Sequence, residues 1–218
     1  NMDSTNVVPA KISKGLVLNS GSVSNEFVCL DTENQDNYHT CGGSGDSDIF
    51  SGSDDGTFWK DGGTGTGVAV EGLTRSTSIW YNAVTTDNGG FQIIFEEGAS
   101  NGQSIYLYDD KIYGVTSKSE SVTFGEAATT ANEWHHVVLV WVDDAESYLY
   151  HDGALVDTFT GKDHSKHSNA GALGYAEAQA SSHTGNISEG RSFDGIIDEF
   201  RVTNTKLSTG FIANTYQI

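Results

Sequence analysis

"WHHVVLVWVDDAESYLYHDGALVDTFTG", residues 134–161, holds the run VVLVWV and then SYLYHDGALVDTF, where Asp152-Gly153 separates two arms of alternating apolar and polar residues. β-Branched and aromatic side chains fit a pleated, half-buried surface, so VVLVWV reads as a strand. An Asp-Gly pair between alternating arms marks a hairpin closed by a two-residue turn, because such a turn needs positive φ. Neighbouring side chains on a strand point to opposite faces. His135 and His136, which open the run, are therefore expected to diverge, one toward the interior and one toward solvent or a neighbouring sheet. Two strand positions, rather than a metal or catalytic pair, is the reading they support.

The same texture continues outward. Candidate strands are GLVLN at 15–19, EFVCL at 26–30, GVAVEG at 67–72, STSIWYNAV at 76–84, FQIIFEE at 91–97, SIYLYDD at 104–110 and KIYGVTS at 111–117, then SVTFG at 121–125, AGALGY at 170–175 and GIIDEFRVT at 195–203. Many short strands spaced by Gly, Asn, Asp and Ser argue for an all-β antiparallel sandwich or barrel. With 26 Gly and one Pro in 218 residues, the chain has turn residues in abundance and almost no helical period. That length suits one large all-β domain, so residues 1–218 are expected to form a single unit.

Thirty acidic against 11 basic residues leave a formal charge of −19, which repels phosphate backbones and anionic lipid and makes nucleic acid an unsuitable partner. The same excess attracts divalent cations and favours solubility in salt, and composition does not choose between these. No apolar run is long enough to span a bilayer, so membrane insertion is not expected, and the polar opening NMDSTN is no secretory leader. Cys29 and Cys41 enclose a short loop without metal-ligand spacing; a disulfide in an oxidising compartment is the expected use, with two buried thiols the alternative. Asn186-Ile187-Ser188 matches a glycosylation acceptor, relevant only to a eukaryotic secreted protein.

Two long biased loops interrupt the strands. Cys41–Gly67 is rich in Gly and Asp and carries Phe58-Trp59 near its centre, where a plain linker has little use for aromatics. Thr160–Gly171 holds His164 and His167, and a third histidine, His183, lies in AQASSHTGNISEGRS; the three could meet in space, although scattered surface histidines are commoner than a chelating trio.

The tail RSFDGIIDEFRVTNTKLSTGFIANTYQ, with its apolar pair, Asp-Glu, alternating Phe-Arg-Val and Leu-Ser ahead of a short amphipathic turn, resembles the closing strand and helix of laminin-G-like, concanavalin-type lectin/glucanase domains. STSIWYNAV, GGFQIIFEEG with SIYLYDDKIYGV, and NEWHHVVLVWVDDAESYLYHDGALVDT are similar to that superfamily's early strand, central hairpins, and Trp-x-His-Val strand with its Tyr-x-Asp-Gly hairpin. KGLVLNSGSVSNEFVCL is a weaker counterpart of its first strands. The likeness covers most of residues 12–217 and is specific from Thr74 to Gln217. It implies a two-sheet antiparallel jelly roll with a concave sheet, long rim loops and a short C-terminal helical turn. It also implies that Trp134 and His136 sit in or beside the core for packing reasons. The segment 41–67 departs from the family pattern as an insertion.

Some relatives on this scaffold are glycoside hydrolases or lyases. Retaining hydrolysis needs two carboxylates aimed the same way from one strand, and no Glu-x-Asp-x-x-Glu strand is present. Glu96-Glu97 and Asp143-Asp144 are adjacent acids that diverge on extended backbone. Tyr106, Tyr108, Tyr148, Tyr150 and His151 remain as the raw material for an unfamiliar Tyr/His lyase pair.

Calcium needs several hard oxygens. By likeness to related glucanases, Asp198 in the closing strand is a ligand candidate; the alternative is that it pairs with Arg201 or caps backbone amides. Asp46, Asp48, Asp54 and Asp55 crowd the glycine-rich loop, where a cation would relieve their mutual repulsion. A sugar ring needs an aromatic face with polar groups beside it, and Trp59 with Phe58 is the expected contact, whereas Trp80 and Trp141 on strands read as core. The expected function is an extracellular, non-catalytic, calcium-assisted carbohydrate-binding or adhesion domain, secreted or at the cell surface. A structural or assembly role between protein subunits is the alternative.

Overall fold

In a computed structural model of the chain, the described residues are 7–9, 14–18, 28–29, 74–97, 101–142, 144–162, 171–176, 179–188, 192–203 and 205–217. Among these, the strands in chain order are β1 (Val7–Pro9), β2 (Lys14–Leu18), β3 (Val28–Cys29), β4 (Thr74–Ala83), β5 (Gln92–Glu97), β6 (Gln103–Tyr108), β7 (Lys111–Lys118) and β8 (Ser121–Ala128). They continue with β9 (His135–Val142), β10 (Glu146–His151), β11 (Ala154–Thr160), β12 (Gly171–Leu173), β13 (Gln179–Ser182), β14 (Gly185–Ser188) and β15 (Gly195–Thr203), and helix α1 (Thr209–Tyr216) closes the order. A seven-stranded sheet runs β1-β2-β15-β4-β9-β10-β11, a six-stranded sheet runs β3-β12-β5-β6-β7-β8, and β13-β14 form a separate ribbon.

Every strand expected from the alternating pattern that falls among the described residues forms; GVAVEG at 67–72 and the 41–67 insertion lie outside them. The Asp152-Gly153 turn is present, with φ of +50° and +77° at its two positions. Asp109-Asp110 and Ser119-Glu120 close two further hairpins with positive φ at all four residues, a conformation that short polar side chains tolerate better than branched ones.

Alternation sorts each strand into two faces. Ile79, Tyr81 and Ala83 of β4 and Val137 and Leu139 of β9 meet Phe95, Ile105, Leu107 and Ile112 of the opposite sheet in one fully buried core. Gly114 and Gly125 are cross-strand partners facing the β10–β11 hairpin. A Cβ at Gly114 would stand 2.8 Å from Leu149 Cδ1, so bare backbone is what lets the sheets approach there. At one end of the core, Arg75 of β4 reaches across to Glu97 of β5 in an ion pair with both side chains buried.

The outer face of the seven-stranded sheet is covered by α1. Ser208 caps the helix by accepting the Phe211 N–H at 3.2 Å. Ile212 then buries against Val138, Val140 and Tyr150. Trp80 stacks on His136 at 4.9 Å and on Tyr216 of the helix at 5.7 Å. His135 and His136 do diverge, but both are buried, at 7% and 1% exposed, because Trp80 and the helix side cover His136 while Tyr81, Thr130 and His151 enclose His135.

Burial lowers the His136 imidazole to about 4. Its ordinary value is 6.5, so the unfolded chain takes up a proton that the folded chain refuses as pH falls below that point. Stability is therefore expected to decline between pH 6.5 and 4, by roughly 3 kcal/mol at ~1.36 kcal/mol per pH unit. Urea denaturation at a series of pH values checks this; the decline should flatten in His136→Gln.

Candidate functional site

Two places collect chemistry. The first lies on the outer face of the six-stranded sheet, where β6, β7 and β8 present Tyr106, Tyr108, Tyr113, Phe124, Lys111 and Glu126. The ribbon β13-β14 packs over part of this face through Ala180 and Ile187, against Ile93, Tyr106, Tyr113 and Val115. Its turn brings in His183, which stacks on Tyr113 at 4.4 Å, while Phe91 stacks on Tyr108 at 4.6 Å. The Tyr106 hydroxyl accepts the His183 backbone N–H at 2.8 Å and shares a second hydrogen bond of 2.8 Å with His183 Nδ1, which fixes the ring over the patch.

Phe124 is 37% exposed at the edge of this patch, and Phe91, Tyr108 and His183 are half-buried. Lys111 donates to Glu126 at 2.6 Å, and that hydrogen bond holds the Glu126 carboxyl below the usual range. Burial first, and then Glu126, pushes the Tyr113 phenol up to about 12. Burial raises Tyr106 as well. Both phenols stay protonated at neutral pH, suited to hydrogen bonding rather than to proton abstraction.

The second place is the rim where β9, β10 and the Asp152-Gly153 turn meet. His135 Nδ1 donates to Asp152 Oδ2 at 2.8 Å, and the His136 N–H donates to Asp152 Oδ1 at 2.9 Å. His151 stacks on His135 at 4.9 Å and meets the Tyr81 hydroxyl at 3.0 Å. Burial alone would lower the His135 imidazole, but the hydrogen bond and charge of Asp152 outweigh it and the net direction is upward. Burial would likewise raise Asp152, yet the donors His135 and His136 hold it low. His151 is lowered by burial.

Several expected site residues, Trp59, Phe58, Asp46, Asp48, Asp54, Asp55 and Cys41, lie outside the described residues, as do His164 and His167; Cys29 falls in β3, at the edge of its sheet. Trp80 and Trp141 are core, each 1% exposed. Asp198 is 7% exposed, and its Oδ1 accepts the Glu199 N–H at 2.9 Å; Arg201 pairs with Glu199. That is the amide-capping arrangement, and among the described residues Asp198 joins no group of three side-chain ligands. A calcium there would draw its remaining oxygens from backbone or from beyond those residues.

The Tyr/His grouping expected for a lyase is not assembled. Tyr106 packs on the outer face of the six-stranded sheet and Tyr150 beneath α1, whereas His151 turns inward to Tyr81, because alternation sends neighbours on β10 to opposite faces. Sequence reasoning passed over two clusters. The Tyr108/Tyr113/His183 patch needed the β13-β14 ribbon, and the His135–His151 meeting needed the β9–β10 register, in which His151 pairs with Val137, two positions from His135 on the same face.

Two facing antiparallel sheets with an outer aromatic face and a capping helix define a jelly-roll sandwich of the lectin type. The chain belongs to the concanavalin A-like lectin/glucanases superfamily, whose laminin-G-type family profile matches residues 66–213. No curated protein sequence matches it significantly. Among solved structures it is similar to domain 4 of AbnA, a GH43 extracellular arabinanase from Geobacillus stearothermophilus in complex with arabinotriose, at 17% identity over 97% of this chain and 80% of that one, with a TM-score of 0.61. It is similar also to the binding domain of Paraclostridial Mosquitocidal Protein 1, at 12% identity over 96% of this chain and 44% of that one, with a TM-score of 0.59. A third similar structure is from botulinum neurotoxin type C, described as dependent on two ganglioside molecules for entering cells, at 15% identity over 66% of this chain, with a TM-score of 0.51. This chain spans 36% of that neurotoxin chain. These neighbours are mainly binding domains.

Proposed function

We propose that this chain is a non-catalytic carbohydrate-binding domain, secreted or displayed at a cell surface, that holds a glycan on the outer face of its six-stranded sheet. The aromatic patch carries this reading: half-exposed Phe91, Tyr108 and Phe124 beside His183, Lys111 and Glu126 offer apolar faces for sugar rings and charged groups for hydroxyls. The arabinotriose held by domain 4 of AbnA and the gangliosides on which the botulinum neurotoxin depends favour the same ligand class. Trp59 and Phe58 would extend the contact from the insertion. Calcium has two separate candidate places, Asp198 in the closing strand and the loop aspartates Asp46, Asp48, Asp54 and Asp55, whose mutual repulsion it would relieve, and a Cys29–Cys41 disulfide would fit an oxidising compartment.

A glycan array, followed by calorimetry on the best ligand, tests this. Phe124→Ala and Tyr108→Ala are each expected to weaken binding about 10-fold, the loss of roughly 1.4 kcal/mol per aromatic contact. Chelation is expected to weaken it only if loop 41–67 contributes, in which case Trp59→Ala does the same. Binding unaffected by Phe124→Ala and Tyr108→Ala removes the patch from the site. The assembly reading rests on β11, the last strand of its sheet, which leaves Leu155 and Val156 48% and 40% exposed. A concentration-dependent oligomer lost in Leu155→Lys, with no glycan bound, would favour it.

A further inference from the structure

Beyond glycan binding, we propose that His135, His151 and Asp152 form a transition-metal site of the zinc class at the sandwich rim. One nitrogen from each ring and one carboxylate oxygen all lie within 4.8 Å of one another. His135 Nδ1 is 2.8 Å and His151 Nδ1 3.9 Å from Asp152 Oδ2. Ligand bonds of ~2.0–2.1 Å at tetrahedral angles separate donor atoms by roughly 3.3 Å, so small side-chain rotations bring all three to one ion.

The far side of each ring strengthens the assignment. A metal-binding histidine characteristically has its second nitrogen held by an outer partner, which fixes the tautomer and the ring plane. Here both outer nitrogens are so held: His135 Nε2 meets Thr130 Oγ1 at 2.9 Å, and His151 Nε2 meets the Tyr81 hydroxyl at 3.0 Å, itself tied to Thr129 Oγ1 at 2.8 Å. A bound ion would take the place of the proton that His135 Nδ1 donates to Asp152, with each ring keeping its proton on the outer nitrogen and turning its Nδ1 lone pair to the metal.

The carboxylate is oriented as well, since its Oδ1 accepts the His136 N–H and the Asp152 N–H donates to the His136 carbonyl at 2.8 Å. Two imidazoles and one carboxylate suit zinc and its neighbours, whereas calcium takes six to eight oxygens. Asp152, with 27% of its side chain exposed against 9% and 8% for His135 and His151, is the open side where water would complete the tetrahedron. The site is separate from the aromatic patch, which lies on the outer face of the other sheet, so either stands without the other.

The test is titration of metal-stripped protein with Zn²⁺ by calorimetry and with Co²⁺ by visible absorption. One equivalent per chain is expected, with the visible bands of four-coordinate Co²⁺ and a raised Tm under Zn²⁺ but not Ca²⁺. His151→Gln and Asp152→Asn should weaken Zn²⁺ at least 100-fold, while His183→Ala binds as the parent does. Tyr81→Phe, which keeps the ring and removes only the outer hydrogen bond, should weaken it roughly 10-fold; it carries the test should the ligand variants fail to fold, as judged by circular dichroism. Absence of stoichiometric Zn²⁺ binding, or equal binding by the parent, His151→Gln and Tyr81→Phe, overturns the assignment and leaves a hydrogen-bond network that locks the hairpin turn.

Discussion

Arg75→Met is expected to destabilise the protein by about 3–5 kcal/mol, the usual consequence of removing one partner from a buried ion pair. Glu97 would be left ionised inside the sandwich with its side chain 0% exposed, beside the Gln103 side-chain amide that donates to it at 3.3 Å. Methionine keeps most of the aliphatic stem but removes the guanidinium that lies 5.4 Å from the Trp141 ring centroid, so the loss would combine the ion pair with that cation–π contact. At ~2–4 °C per kcal/mol for a chain of this size, Tm should fall by roughly 6–20 °C. The companion Arg75→Met/Glu97→Leu should recover most of this, because removing both charges also removes their desolvation cost. Denaturant midpoints with unchanged m-values measure both. A single variant within 1 kcal/mol of the parent, or a double variant worse than the single, would contradict the pair's cross-sheet role.

Trp80→Ala has an expected cost of the same size, about 3–5 kcal/mol, through a different mechanism. The indole is 1% exposed between the His136 and Tyr216 rings, at interplanar angles of 24° and 13°. Its loss opens a cavity beneath α1 and removes the surface on which the helix sits. An eight-residue helix does not persist alone in water, so the docked face supplies its stability. Amide exchange over residues 209–216 should therefore accelerate in Trp80→Ala more than elsewhere in the chain. Tyr216→Ala, which removes a half-buried ring, should cost less than half as much. Equal protection of the helix in Trp80→Ala and parent would show that α1 is held from somewhere else.

Which parts of this architecture were legible in the chain follows from the range of each interaction. The β9, β10 and β11 strands declared themselves because VVLVWV and the arms around Asp152-Gly153 carry their pattern within a few residues. The C-terminal helix was expected only from the family resemblance of the tail, and its Ser208 cap is a finding of the structure. The β13-β14 ribbon did not: QASS and GNIS are small and polar, and they become strands because Ala180 and Ile187 find apolar partners on Tyr106 and Tyr113. The Asp109-Asp110 and Ser119-Glu120 turns also left little trace, since neither contains the glycine that usually signals positive φ.

The candidate sites divide in the same way. Asp152 was visible as a turn residue but not as the carboxylate between two imidazoles. His183 was visible as a histidine in a loop but not as the ring stacked on Tyr113. A strand's face assignment is complete once its alternation is known, and that is why Trp80, Trp141 and the divergence of His135 from His136 could be read directly.

By itself, then, the chain determined the strand periods, the Asp152-Gly153 hairpin and the side of each strand on which a residue falls, all of them consequences of contacts a few residues apart. Only the tertiary structure decided what each side would meet: β15 inserted between β2 and β4, a helix laid over His136, a ribbon folded onto Tyr106, and His135 brought to His151. Those encounters depend on sheet order and on the closure of two sheets against each other, and a period of two carries no record of either.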